Sequence, residues 1–317
     1  MSNATTTRRF PVRDYDLEAT LTSGQAFRWK KHGESWVGVI GRNWVRLQSE
    51  PMAIIAETTE PVNNWSWLVD YLQLKVDLNA LLLTFPDDAP MREAVHACHG
   101  LRLLRQDPWE CLASFILSST KQIVQIQQII GMLCERFGEP IHAPSSFSTV
   151  YSFPSPARLA RATETQLRGC KMGFRAPYLL AVARAIANGK FILTRLNELS
   201  VDLARKELVQ LPGVGAKIAD CVLLFAYGAQ TAFPVDVWVS KALRELYFPG
   251  RRLDLRQLHD FAATHFGSNA GYAQQYLFHY MRMKNRFSRS GHGIPFETPV
   301  PARVGGVTLC EPPGTRS

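Results

Sequence analysis

The chain has 317 residues, 46% of them hydrophobic, and its 36 Lys and Arg against 27 Asp and Glu leave a formal charge of +9. That composition excludes global disorder and is long enough for two domains of ordinary size. The positive surplus favours an anionic partner, nucleic acid before a membrane surface, although a merely soluble basic protein fits it equally well.

In chain order, the N-terminal MSNATTTRRF carries no hydrophobic segment of the secretory kind. Residues 20–48 predict an antiparallel meander. AFRWKK, SWVGVI and NWVRLQ are short aromatic and β-branched runs, separated by His32-Gly33-Glu34 and Gly41-Arg42-Asn43, which have hairpin-turn chemistry. Residues 65–83 switch to a helical pattern, with Trp67, Tyr71 and Leu74 four and three apart, punctuated afterwards by Pro86 and Pro90. From residue 107 the pattern is helical throughout. Leu112, Phe115 and Ile116 mark one helix, and Ile123, Ile126, Ile130 and Leu133 the next, ending at Gly138. Further helices are predicted over 156–168, 176–188, 201–210, 216–227, 239–246, 255–266 and 270–283. The expected fold class is α+β: a β-rich domain over 8–105, an all-helical domain over 106–285, and a loose tail over 286–317 that is rich in Gly, Pro, Arg and Thr.

No apolar run approaches the ~18–20 residues that span a bilayer. The cysteines at 98, 111, 134, 170, 221 and 310 are scattered and form no CxxC pair. They suit a reducing compartment, the cytoplasm or a nucleus, rather than a disulfide framework. Neither a zinc site nor an iron–sulfur cluster is expected from such spacing.

Two stretches carry chemistry. In LPGVGAKIADCV, the Val201, Ala204, Leu208 and Leu211 stripe and the Ile218, Cys221, Val222 and Phe225 stripe flank Gly213-Val214-Gly215, which predicts two helices joined by a hairpin. Backbone N–H groups of such a turn suit a phosphate, and glycine permits the turn and the close approach. The stretch is not a P-loop, because Lys217 is followed by Ile218, and it lacks the third glycine and the strand of a dinucleotide fingerprint. Lys217 falls in the first helical turn, where the dipole disfavours a cation, and a neutral lysine amine is the nucleophile that forms Schiff bases. A lysine contacting phosphate as a plain charge is the simpler alternative. Downstream, FPVDVW embeds Asp236 in an apolar run at a predicted helix start. By itself that is an N-cap; with Lys217 and the hairpin it reads as the second half of an active site.

Together these segments resemble the helix-hairpin-helix DNA glycosylase superfamily, and within it the 8-oxoguanine DNA glycosylase family. LTSGQAFRW (21–29), DPWECL (107–112) with Phe115 and Ile116, and YAQQYLF (272–278) are similar to that family's N-terminal, first-core-helix and last-helix segments. The likeness runs from about residue 14 to about 283. It implies a bifunctional glycosylase and abasic-site lyase acting on double-stranded DNA that contains oxidised guanine, as a monomer, without metal, flavin or nucleotide cofactor and without a membrane. By the same resemblance, Lys217 attacks the sugar and Asp236 stabilises the charge that develops there. The Gly24 carbonyl accepts from N7–H of the flipped base, Gln274 reads its Watson–Crick edge, and Phe278 and Cys221 cover its two faces; ordinary core filling is the plainer role for the last two. Gly213, Val214 and Gly215 bind the backbone, Phe174 and Arg175 stand for a wedge pair, and Trp238 replaces a phosphate-contacting histidine.

The sequence departs from the family where an asparagine and an arginine hold the opposite cytosine: Thr120 and Gln125 occupy those positions. Glutamine lacks the charged fork, so relaxed opposite-base specificity is expected. Two alternatives remain, a monofunctional alkylated-base glycosylase, which has no need of Lys217, and a non-catalytic helix-hairpin-helix DNA-binding protein, which has no need of Asp236.

Overall fold

Hairpin chemistry organises the N-terminal sheet. The computed structural model describes residues 5–59 and 62–290. Within them, β1 (Thr6–Pro11), β2 (Lys30–His32), β3 (Ser35–Ile40), β4 (Asn43–Glu50) and β5 (Ala53–Thr58) form an antiparallel sheet in the order β1-β5-β4-β3-β2. Pairing of His32 with Ser35, Ile40 with Asn43 and Glu50 with Ala53 leaves two-residue turns. Gly33, Gly41 and Met52 adopt positive φ in those turns, as tight hairpins require. The meander expected over 20–48 is present from Lys30 onward, but its first part is not strand. Residues 17–22 form helix α1 (Leu17–Thr22), N-capped by Asp16, and only the end of AFRWKK enters β2. Strands β1 and β5 went unpredicted: β1 has one buried position in six, so it shows no alternation.

One sheet face packs Phe10, Trp36, Leu47 and Ile54 against Leu17, Leu21, Trp65 and Leu68. The registered pairs Trp36–Leu47 and Phe10–Ile54 place these side chains together. The other face carries Val39 and Trp44 beneath Ile141. The helices that supply this core are α1 and α2 (Ser66–Leu72); α3 (Leu78–Leu82) and α4 (Ala89–Ala97) follow in the chain. The single helix read over 65–83 is thus two, because Gln73 turns left-handed at φ 55. Pro90 does not break structure; it sits in the first turn of α4, where its missing N–H has no cost.

The helical part follows in order: α5 (Pro108–Ser118), α6 (Ile123–Phe137), a small β6 (Pro140–Ile141) and β7 (Val150–Tyr151) ribbon, α7 (Pro156–Ala160), α8 (Glu164–Arg168), α9 (Ala176–Ala187), α10 (Val201–Leu208), α11 (Ala216–Val222), α12 (Val237–Ala242), α13 (Leu255–His265) and α14 (Ala270–Ser290). The predicted 156–168 helix splits because Thr163 starts α8 with a capping box to Gln166. Helices α11 and α12 each widen into a π-type turn, Leu223–Tyr227 and Leu243–Tyr247. Up to Arg282 the chain is one packed unit. The expected 286–317 tail begins inside α14, which runs to Ser290; the rest of it lies outside the described residues. Among the described residues no helix is long and apolar enough to cross a membrane.

The hairpin between α10 and α11 is held from both sides. Gly213 has φ 76, and a Cβ there would lie 2.8 Å from the Tyr178 ring of α9. Val214 turns inward and donates its N–H to the Leu211 carbonyl at 3.1 Å. Arg205 of α10 donates from Nε to Oδ1 of Asp220 on α11 at 2.6 Å, and Asp220 is 2% exposed. Removing this acceptor leaves a guanidinium without its buried partner. Asp220→Ala is expected to lower the unfolding free energy by about 1–3 kcal/mol, read from urea melts; an unchanged midpoint would mean the pair does not secure the hairpin.

Candidate active site

Four segments converge on one cleft. The Ser23–Gln25 loop follows α1, α11 supplies Lys217 and Cys221, the Phe233–Asp236 run enters α12, and α14 supplies Gln274 and Phe278. Gly24, Lys217, Cys221, Asp236, Gln274 and Phe278 all border this cleft, so the six residues assigned to catalysis and base recognition are brought together. The cleft measures about 40 Å³.

Lys217 sits in the first turn of α11 because Gly215, in extended backbone, N-caps the helix. Its Nζ lies 5.2 Å from the Phe115 ring centroid and 3.5 Å from Ser118 Oγ. Ser118 Oγ itself donates to the Phe115 carbonyl at 2.8 Å, so it faces the amine as an acceptor. Phe115 is stacked on Phe225 with centroids 5.6 Å apart, which fixes the floor beneath the amine. Asp236 is the N-cap of α12 and accepts from the Val239 N–H at 2.8 Å. Burial raises its carboxyl above the ordinary aspartate value, against the Val239 N–H and the Lys217 charge, which act to hold it down. Burial also pushes the Cys221 thiol up to about 12, with Lys217 opposing. Cys221 is therefore a neutral, unreactive wall.

Gly24 has φ 81, and a Cβ there would meet Ile123 Cδ1 at 2.8 Å and Phe278 Cε1 at 3.3 Å. A side chain here would be strained by the positive φ and would have to displace the ends of the Ile123 and Phe278 side chains. Gln274 is 3% exposed, and its Oε1 is buried without a hydrogen-bond partner among the described residues. A buried acceptor in that condition is suited to a donor brought by a ligand.

The residues assigned to DNA contact are placed differently. Gly213 and Gly215 are exposed, whereas Val214 is buried and serves the turn. Phe174 is 55% exposed at the tip of a one-turn segment, Gly173–Arg175. Arg175 is 2% exposed: it lies over the Phe174 ring at 4.3 Å and donates to Thr120 Oγ1 at 2.6 Å. Thr120 is exposed with φ 57. Gln125 closes the capping box of α6, its Oε1 accepting from the Gln122 N–H at 3.1 Å. Trp238 is half-buried, with Lys241 Nζ 6.0 Å above its ring. Sequence reasoning missed Ser118 and Phe115 beneath the amine. It also missed Ile123 against Gly24; an apolar residue at a helix start gives no sign of its contact.

Among the described residues no group of three or more His, Cys, Asp and Glu is arranged to hold a metal ion. Comparison with known proteins agrees with the geometry. Residues 9–112 match the 8-oxoguanine DNA glycosylase N-terminal domain, and residues 113–259 match the HhH-GPD superfamily base excision DNA repair protein. The chain belongs to the 8-oxoguanine DNA glycosylase family of HhH-GPD proteins. It is 30% identical to a probable N-glycosylase/DNA lyase of Methanothermobacter thermautotrophicus, over 90% of this chain and 99% of that one. It is 32% identical to the N-glycosylase/DNA lyase OGG1 of Arabidopsis thaliana, over 86% of this chain and 80% of that one. Its fold is similar to that of the Clostridium acetobutylicum 8-oxoguanine glycosylase/lyase, solved with double-stranded DNA containing cytosine opposite 8-oxoG. That likeness has a TM-score of 0.80 at 31% identity and covers 88% of this chain and 98% of that one.

Proposed function

We propose that this chain is a base excision repair enzyme that removes 8-oxoguanine from duplex DNA and then cleaves the strand at the abasic site, as a monomer, in the compartment that holds the DNA, cytoplasmic or nuclear. The observation that carries this reading is that Lys217 and Asp236, from two separate helix starts, border the cleft that also holds Gly24 and Gln274. The N-glycosylase/DNA lyase names of its relatives support it. The target atom is hidden in a duplex, so the nucleotide is flipped out and the cleft takes the base. The Gly24 carbonyl accepts from N7–H of 8-oxoguanine; guanine presents an acceptor there and is disfavoured. Gln274 meets the Watson–Crick edge, and Phe278 and Cys221 enclose the ring.

Lys217 Nζ, after giving up a proton, forms the bond to C1′ through its lone pair as the bond from C1′ to the base breaks; the base leaves with that electron pair and takes up a proton. Asp236, a carboxylate in a partly desolvated site, stabilises the positive charge that develops on the sugar. Ring opening gives a Schiff base between Nζ and C1′. Loss of a C2′ proton then expels the 3′ phosphate. Gly213, Val214 and Gly215 form the turn that holds a backbone phosphate through its N–H groups, Phe174 enters the stack, and Trp238 lies beside the phosphates after Asp236. A monofunctional alkylated-base enzyme would leave Lys217 without a purpose, and a purely DNA-binding protein would leave the cleft without one.

Thr120 and Gln125 replace the residues that hold cytosine, and both are already engaged, Thr120 by Arg175 and Gln125 by its own helix cap. Discrimination among opposite bases is therefore weak.

Borohydride added to enzyme and a duplex with one 8-oxoguanine is expected to trap a covalent adduct with wild type and none with Lys217→Gln; an adduct that survives the substitution would place the nucleophile elsewhere. Asp236 must be ionised, and its carboxyl is raised, so activity is full above that raised value and is lost as pH falls through it. The acid limb of the pH–rate profile is expected above the ordinary aspartate value of ~3.9, and a limb at or below it would contradict the role of burial. Excision rates with C, A, G and T opposite the lesion are expected within about tenfold of one another, the size of one lost hydrogen bond. A cytosine preference of hundreds-fold would refute relaxed specificity.

A further inference from the structure

The three successive peptides around Gly24 are treated unequally. The Ser23 carbonyl accepts from Gln275 Nε2 at 2.9 Å. The Gln25 carbonyl accepts from Gln106 Nε2 at 2.7 Å. The Gly24 carbonyl between them accepts no hydrogen bond among the described residues, and Gly24 borders the cleft. All three glutamines of the cage are buried: Gln25 is 0% exposed, Gln275 2% and Gln106 8%. The Gln25 side chain adds a further anchor, donating to the Thr20 and Arg102 carbonyls at 2.9 and 2.8 Å and accepting from the Leu104 N–H at 2.7 Å. Gln106 is tied in turn to the helical part, since its N–H donates to the Phe225 carbonyl at 2.8 Å.

We propose that Gln275 and Gln106 are positioning residues for lesion selectivity: by pinning the peptide planes on either side, they fix the direction of the one carbonyl left unpaired. This rests on the reading of Gly24 as the acceptor for N7–H. Gln275 follows Gln274 on α14 and borders the same cleft, but its amide is spent on the Ser23 carbonyl, so it acts on the base only through the loop. A carbonyl discriminates N7–H from a bare N7 by direction as well as distance, because a hydrogen bond weakens steeply when misaligned. Gly24 at φ 81 is the least restrained residue type, so without its neighbours' hydrogen bonds its peptide rotates. The amide donor at 275 is 252 residues from the carbonyl it holds, and it carries the position of α14 to the loop after α1.

The test uses the full-length enzyme with Gln275→Met, which keeps volume and removes the donor, and separately Gln106→Leu. Three substrates are compared: a duplex with 8-oxoguanine, the same duplex with guanine, and one with a preformed abasic site. The expected result is that the ratio of 8-oxoguanine to guanine excision falls about tenfold, the worth of one misdirected hydrogen bond, while cleavage of the abasic site, which has no base to read, is unchanged within error. Folded variants that retain the wild-type ratio overturn the proposal. So does a fall in abasic cleavage that matches the fall in base excision, because a merely structural amide would weaken every step alike. Wild type that releases guanine as readily as 8-oxoguanine overturns the functional reading and this proposal with it; a selective wild type with equally selective variants overturns this proposal alone.

Discussion

The backbone at Gly24 is the constraint around which the site is arranged. At φ 81 a side chain would be strained and would push on the ends of Ile123 of α6 and Phe278 of α14, so a bare peptide suits the approach to the cleft. The sheet-bearing part of the chain thus delivers a main-chain group, and the helical part must close around it without touching it. The glutamine cage does this with hydrogen bonds of 2.7–2.9 Å to the neighbouring carbonyls. Buried amide donors are suited to the task because each is costly to leave unpaired, and a fully satisfied network has one arrangement.

Opposite that wall, the two groups proposed to react are both placed by helix starts. Lys217 stands one residue into α11, and Asp236 caps α12. Each is therefore at the end of an element whose direction is set by packing below it: the Arg205–Asp220 pair for α11, and the Val239 N–H for the Asp236 carboxylate. Burial raises the Asp236 carboxyl and the Cys221 thiol together, but with different consequences. The aspartate, near an opposing charge and two backbone N–H groups, can still ionise; the thiol cannot at neutral pH and remains an apolar surface. The same burial acts differently on the two because a carboxyl is raised from an acidic value and a thiol from one already above neutrality.

The segment between α5 and α6 shows the reverse economy. Ser118 faces the amine, Thr120 holds the buried Arg175, Ile123 abuts Gly24 and Gln125 caps its own helix. Phe174 and Val124 are the large apolar side chains exposed nearby, with Lys121 between Thr120 and the start of α6.

Much of this was legible in sequence, and for a definable reason. The hairpin glycines, Lys217, Asp236 and the SGQ turn are local: their meaning lies in a few adjacent residues, in a φ only glycine adopts readily and in a helix start that an acid can cap. The meander from Lys30 to Glu50 was equally local, since two-residue turns announce themselves. Three things were decided by tertiary structure. Strand β1 has no alternation, and only pairing with β5 makes it a strand. Arg175 reads in sequence as half of a wedge pair with Phe174, but it is 2% exposed and donates to Thr120, because guanidinium donors take whatever acceptors the fold brings. Gln275 and Gln106 look like unremarkable polar residues; the carbonyls they bind are 252 and 81 residues away. A hydrogen bond between such distant partners leaves no periodicity and no spacing. The sequence by itself therefore determined which groups are candidates for the chemistry, and only the folded chain decided which groups hold them in place.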